Sequence, residues 1–162
     1  MSGVFKAYDI RGRTDTGELT PELARRIGAA FVRLLAPPEV AVGWDCRASS
    51  PELAQAMIEG ITKSGASVLA LGEVPTDVVY YVSGSRELPG VMITASHNPS
   101  NYNGIKLCRV GAAPVGEDTG LAEIERMVNE PVPAAARIGE VRSFDANPDT
   151  STTSFRLSTK GQ

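Results

Sequence analysis

The chain has 162 residues, 42% apolar and 22% charged, with a formal net charge of −3 at pH 7, the make-up of one globular domain with its own core. That acidic balance speaks against a nucleic-acid binder, which carries a basic excess, and no run reaches the roughly 18 apolar residues that a membrane span needs. The opening MSGVFKAYDIRG lacks the basic-then-apolar order of a secretory signal, so the cytoplasm is the expected compartment.

Residues 4–19 read as a turn-rich opening, with Gly12 and the Asp15-Thr16-Gly17 turn signal. A first helix follows. Thr20 suits its N-cap and Pro21 its first position, while Leu23, Ile27, Phe31 and Leu34 share one face until Pro37 and Pro38 stop it. Residues 39–42 form a short strand leading into Gly43-Trp44-Asp45-Cys46-Arg47. Ser50, Pro51 and Glu52 then open a second helix with Leu53, Met57, Ile58 and Ile61 inward and Gly65 as its stop. Residues 67–71 make a nearly all-apolar strand, as expected where both faces of a sheet are covered. A shorter helix is expected from Thr76 to about residue 82, and residues 90–95 form an apolar strand that ends at Ser96.

The segment from Ser96 to Gly104 has no helical period, yet residues 105–108 are again strand-like. Parallel neighbours need a crossover of a dozen or more residues, so this last strand is expected to run antiparallel. A helix over about residues 119–129 closes the pattern. Strands alternating with amphipathic helices predict an α/β fold, a three-layer α/β/α sandwich on a mixed, mostly parallel sheet of about four strands. The domain is expected to span residues 1–142. Residues 143–162 offer little periodic apolar surface and read as an irregular or disordered tail.

Chemistry is constrained by what is scarce. With one histidine, His97, a zinc site built on several imidazoles is ruled out. A Ser-His-Asp triad would need His97 to serve its own neighbour, Ser96, although adjacent side chains of an extended segment face opposite ways. No Gly-x-Ser-x-Gly elbow is present either. Cys46 and Cys108 lack metal-ligand spacing and neighbour apolar runs, so both are expected as buried, reduced thiols.

Ligands of open α/β sheets gather at the carboxyl ends of strands. Ser96 follows one strand, Asp45 and Arg47 follow another, and Tyr8-Asp9-Ile10-Arg11-Gly12 lies in the opening loop. A serine hydroxyl in a tight polar loop accepts a phosphoryl group when cations and amides neutralise its oxygens. Arg11, Arg13, Arg47, Lys106 and Arg109 are the candidate cations. On these residues alone, the Ser-His-Asn-Pro segment reads either as such a loop or as a hydrogen-bonded bend.

Thr94-Ala95-Ser96-His97-Asn98-Pro99 followed by Tyr102-Asn103-Gly104-Ile105-Lys106 resembles the active-site serine loop of the α-D-phosphohexomutases, the bacterial phosphomannomutases and phosphoglucomutases. Phe5-Lys6-Ala7-Tyr8-Asp9-Ile10-Arg11-Gly12 is similar to that family's opening motif, and Gly43-Trp44-Asp45-Cys46-Arg47 to its Gly-x-Asp-x-Arg motif. The resemblance covers about residues 4–130. It implies that Ser96 is the phosphorylated serine, exchanging phosphoryl groups with a hexose phosphate through a hexose bisphosphate intermediate. It further implies that the Ser96 phosphate supplies one ligand of Mg2+, that His97 and Lys106 lie beside the reacting oxygens, and that Arg11 steadies the phosphoserine. Tyr8 would border the sugar. Asp45 and Arg47 stay open between a part in the site and a structural ion pair anchoring the loop. The family's later domains, with the carboxylate loop for the metal, have no counterpart in this sequence, so the chain alone is expected to be inactive. The competing expectation is a non-catalytic remnant that folds and binds a phosphosugar or a partner chain.

Overall fold

The protein is described by a computed structural model over residues 3–144. In chain order its elements are β1 (Ile10–Arg13), α1 (Pro21–Leu35), β2 (Glu39–Trp44), α2 (Ser50–Lys63), β3 (Ser67–Glu73), α3 (Thr76–Arg86), β4 (Gly90–Ile93), β5 (Tyr102–Arg109), β6 (Ala113–Pro114), α4 (Leu121–Met127) and β7 (Val141–Ser143). They build a seven-stranded sheet in the order β1-β5-β4-β2-β3-β7, with β6 against β5. β2 lies parallel to β3 and β4, and β3 parallel to β7, whereas β5 runs antiparallel to β4, β1 and β6. The mixed sheet and the reversal at β5 are as expected, but the sheet is larger than the expected four strands. β1, β6 and β7 are each of four residues or fewer, too short to carry an apolar period.

The side-chain alternation of each strand divides the core in two. Val40 and Val42 of β2, Val91 and Ile93 of β4, and Ile105 and Leu107 of β5 join Ile27, Phe31, Leu53, Met57, Ile61, Leu121 and Ile124 in the main cluster, under α1, α2 and α4. Ala41, Leu69, Leu71 and Met92 face the other way and meet Val79 and Val82 of α3. The result is the expected three layers, with three helices on one side and one on the other.

The first helix is bounded as its sequence implies. Thr20 Oγ1 accepts from the Leu23 N–H at 3.1 Å, Pro21 sits in the first turn, and Ala36 ends the helix in a left-handed conformation ahead of the two prolines. α1 and α2 lie in very close contact because Gly60 has no side chain. A Cβ there would stand 2.0 Å from the Arg25 carbonyl oxygen.

Several boundaries differ from expectation for local reasons. α3 runs on to Arg86, held by the buried Ser83, whose hydroxyl lies 2.6 Å from the Leu88 carbonyl oxygen and accepts the Ala112 N–H at 3.1 Å. α4 is shorter than expected, because a 3-10 turn at Glu117–Thr119 and Gly120 precede it. β5 begins at Tyr102, earlier than its apolar residues suggest, since Gly104, Asn103 and Tyr102 pair with β1. β7 carries the sheet to Ser143, past the expected domain end at Arg142, and the expected tail from residue 145 on lies outside the described residues. Cys46 is exposed and corrects the expectation of two buried thiols, as the chain turns outward on leaving β2. Cys108 is buried.

Candidate functional site

β4 delivers the chain to Ser96, and the backbone beyond it is tightly committed. Pairing continues past the strand through the Thr94 N–H to the Gly104 carbonyl at 2.9 Å. The Ser96 N–H then donates to Thr94 Oγ1 at 3.0 Å, and the Asn98 N–H to the Ala95 carbonyl at 3.1 Å. Ser96 itself is left-handed, at φ +53°, and exposed. For a residue with a Cβ that conformation costs about 1–2 kcal/mol. Of the other non-glycine residues with positive φ, Ala36 and Glu87 are helix C-caps, where it is commonplace, and Ala112 lies in a turn. Among the described residues, Ser96 is the one just beyond a central strand.

Arg47 is the main brace of this loop. Its two terminal nitrogens donate to four carbonyls, those of Pro99 at 2.8 Å, Tyr102 at 3.0 Å, Ser96 at 2.9 Å and Asn98 at 2.7 Å. Its Nε lies 3.3 Å from Asp45 Oδ2, and the side chains are only 13% and 20% exposed. Of the two possibilities open in the sequence, the geometry selects the anchoring ion pair. Hydrogen bonds from a charged donor are the stronger kind, near 1.5–3 kcal/mol each where desolvated, so the set offsets the strain at Ser96.

The other flank is tied to β1. Arg11 donates to Asn98 Oδ1 at 3.1 Å, and the Thr14 N–H reaches the Asn101 carbonyl at 2.9 Å. Asn101 Nδ2 donates to Asp15 Oδ2 at 3.3 Å, and Arg13, in first place through its hydrogen bond, pulls the Asp15 carboxyl down to about 2. Gly104 permits the close approach of strands. A Cβ there would lie 2.7 Å from both the Ile10 and Thr94 carbonyl oxygens.

Arg11 and Lys106 stand on one face of the sheet, since Ile10 and Ile105 are register partners pointing the other way into the main core. Both cations converge on one carboxylate. Asp9 Oδ2 lies 2.5 Å from Arg11 NH2 and 3.4 Å from Lys106 Nζ, with the Asp9 side chain 11% exposed. Two cations on one anion leave a net positive charge beside the serine loop, and Arg11 Nε is buried without a hydrogen-bond partner. Asp9 was visible in the opening motif but carried no sequence signal of its role, which comes from the pairing of β1 with β5.

His97 is exposed next to Ser96, and Tyr8 is 82% exposed. Arg109 is separated from the site, because β5 ends there at the opposite edge and its guanidinium donates to the Thr119 carbonyl. Among the described residues no group of three or more His, Cys, Asp or Glu is placed to hold a metal ion. Likewise, no helix among them is long and apolar enough to cross a membrane.

Comparison with known proteins agrees with this fold. A family model described as phosphoglucomutase/phosphomannomutase, alpha/beta/alpha domain I, matches residues 2–133. A phosphomannomutase of Escherichia coli is 42% identical over 144 residues, covering 86% of this chain and 31% of the relative. A phosphomannomutase of Klebsiella pneumoniae is also 42% identical over 144 residues, covering 86% of this chain and 91% of the relative. The crystal structure of a phosphoglucomutase/phosphomannomutase family protein from Burkholderia thailandensis superposes with a TM-score of 0.79 at 32% identity, covering 88% of this chain and 33% of that one. The chain thus spans about a third of the E. coli relative and of the Burkholderia protein. With the serine loop, the paired basic flank and the three-layer fold all in one domain, this chain belongs to the phosphoglucomutase/phosphomannomutase family and corresponds to its α/β/α domain I.

Proposed function

We propose that Ser96 is the phosphoryl carrier of a phosphohexomutase, an isomerase that exchanges phosphoryl groups between the 1 and 6 positions of a hexose phosphate in the cytoplasm. The observation that carries this reading is the placement of Ser96. Ser96 is exposed just beyond the carboxyl end of β4, on a backbone locked from both sides, and Arg11, which donates to Asn98 of the same loop, is joined to Lys106 through the Asp9 carboxylate. In each transfer the P–O bond to Ser96 Oγ breaks as a P–O bond to a sugar hydroxyl forms. The proton of that hydroxyl moves to Ser96 Oγ, and the reverse transfer from the bisphosphate restores phosphoserine. Lys106 is proposed to carry that proton or to stabilise the charge on the transferring oxygens, Arg11 to hold the phosphoserine, and His97 to line the reacting oxygens. Tyr8, exposed on the opening loop, is proposed to border the sugar. A Mg2+ ion would take the Ser96 phosphate oxygen from this chain and its carboxylates from elsewhere in the protein, where it would neutralise the transferring phosphoryl group.

The test places this domain within a complete related phosphomannomutase, since the isolated chain is expected to show no turnover. Ser96→Ala should abolish mutase activity, and Lys106→Ala should lower kcat by about 10²–10³-fold, the loss typical of removing one charge-stabilising donor. Wild-type turnover by the Ser96→Ala chimera would overturn the carrier role.

A further inference from the structure

Behind Arg47 lies a chain of polar side chains that the phosphoryl chemistry does not itself require. Asn103 is fully buried in β5, and its amide nitrogen donates to Ser49 Oγ at 2.8 Å and to Ser50 Oγ at 2.9 Å. Ser50, also fully buried, donates its hydroxyl to Asp45 Oδ1 at 2.5 Å. Asp45 receives the Arg47 N–H on the same oxygen at 3.0 Å and the Arg47 guanidinium on the other. Arg47 ends the chain on the carbonyls of Ser96, Asn98, Pro99 and Tyr102. Asn103 Oδ1 closes the arrangement by accepting the Gly104 N–H at 2.8 Å, in the strand that pairs with Thr94. The relay therefore runs from the middle of the sheet, through the N-terminus of α2, to the carbonyl of the strained serine.

Burial makes the relay directional. The Asn103 amide and the Ser50 hydroxyl have no water to turn to, so each has one satisfied arrangement. Together they aim the Asp45 carboxylate, which aims a planar guanidinium whose forked donors fit several carbonyls at once. A lysine ammonium cannot span that set. The carbonyl of Ser96 is one of the four, so the relay acts on the peptide unit whose torsions set where Oγ points.

We infer that Asn103, Ser50, Asp45 and Arg47 form a positioning relay that holds the Ser96 loop in its left-handed conformation, and through it sets the rate of phosphoryl transfer at Ser96 while leaving sugar-phosphate affinity unchanged. The part concerning transfer rests on the carrier role proposed above. Misplacing a reacting group by about 1 Å costs on the order of 10²-fold in rate, which is the loss expected when the brace is removed.

Two measurements, one on this chain and one on the chimera described above, test this independently. The first is amide hydrogen exchange over residues 96–101, with the urea midpoint as the control for global stability. Arg47→Lys and the isosteric Asp45→Asn should speed exchange in the loop well beyond any change in the midpoint. The second is the single-turnover rate of Ser96 phosphorylation by glucose 1,6-bisphosphate in the chimera with a complete phosphomannomutase, read as the gain of one phosphoryl group on the intact protein. Arg47→Ala should slow the saturating rate by about 10²-fold with the half-saturating concentration unchanged, and added guanidinium ion, but not ammonium, should restore part of it. A purely stabilising Arg47 predicts the reverse, because guanidinium weakens folded proteins. Loop exchange that stays at the wild-type rate in both variants would overturn the relay. Absence of phosphorylation in the wild-type chimera would instead overturn its link to transfer, and loop exchange alone would then decide whether the relay holds the loop.

Discussion

Ser96 is held in a conformation that most residues avoid, and its neighbours show why it persists. The Thr94 hydroxyl takes its N–H, Arg47 takes its carbonyl, and the flanking turns leave no slack in the loop. Strain of this sort survives where surrounding contacts over-determine the backbone, and it gathers at functional sites. Cys46 provides a chemical probe of the same neighbourhood, and Cys108, at the other end of the sheet, a buried reference. Cys46 lies exposed between Asp45 and Arg47, while Cys108 is buried and its thiol is pushed above the usual range, chiefly by that burial. Since the thiolate is the reactive form, a chromogenic disulfide reagent should titrate one thiol in the native protein and the second only on unfolding. Cys46→Ser should remove the fast phase, and a native protein in which both thiols react quickly would contradict the burial of Cys108. At this scale the sequence was most informative. Ser96, Lys106 and Arg11 stand out through the motifs that resemble a known family, whereas residue type alone offered Arg13, Arg47 and Arg109 equally. The role of Asp9 does not stand out, because it depends on β1 lying beside β5.

Among the elements, the helices and the long strands were legible because each repeats an apolar period over enough residues to be distinctive. The reversal at β5 followed from the length of one loop. β1 was not legible: Ile-Arg-Gly-Arg offers one apolar residue, and it becomes a strand only because β5 presents free backbone groups to it. Two glycines test this view of the elements in opposite directions. At Gly104 an added methyl would meet backbone oxygens of Ile10 and Thr94, neither of which can move without parting strands. Gly104→Ala should therefore destabilise the fold by about 1–3 kcal/mol, the usual cost of overpacking. Gly84 lies exposed within α3, with nothing within 4 Å of its missing Cβ. Gly84→Ala should stabilise by about 0.5–1 kcal/mol, because alanine loses less backbone freedom in a helix. Urea unfolding of both variants checks the pair, and a shift of the same sign in both would refute the argument.

On the scale of the whole molecule, the site sits where parallel β4 meets antiparallel β5. That junction brings the carboxyl ends of β1, β2 and β4 to the same edge as the start of β5, so three separated motifs converge on one loop. The smaller core beneath α3 depends on the far end of the chain in a way its composition conceals. β7 covers the outer edge of β3, Arg142 pairs doubly with Glu39, and the Phe144 N–H donates to the Ala70 carbonyl at 2.9 Å. The Phe144 ring packs on the α3 cluster with Val74, Val78 and Leu88, and the Arg86 guanidinium stands 5.1 Å from its centre. A chain ending at Phe144 should therefore be more stable than one ending at Glu140, by about 2–4 kcal/mol for a partly buried aromatic ring and the lost edge hydrogen bonds. Trp44, the one tryptophan, reports from the end of β2 beside Asp45, while far-UV circular dichroism reports the whole backbone. If the two cores unfold together, both signals should give the same urea midpoint in each chain, lower in the shorter one. Equal midpoints for the two chains would show that β7 and Phe144 merely rest on the sheet. A fluorescence transition unmoved while the dichroism shifts would show that the α3 side comes apart separately from the site.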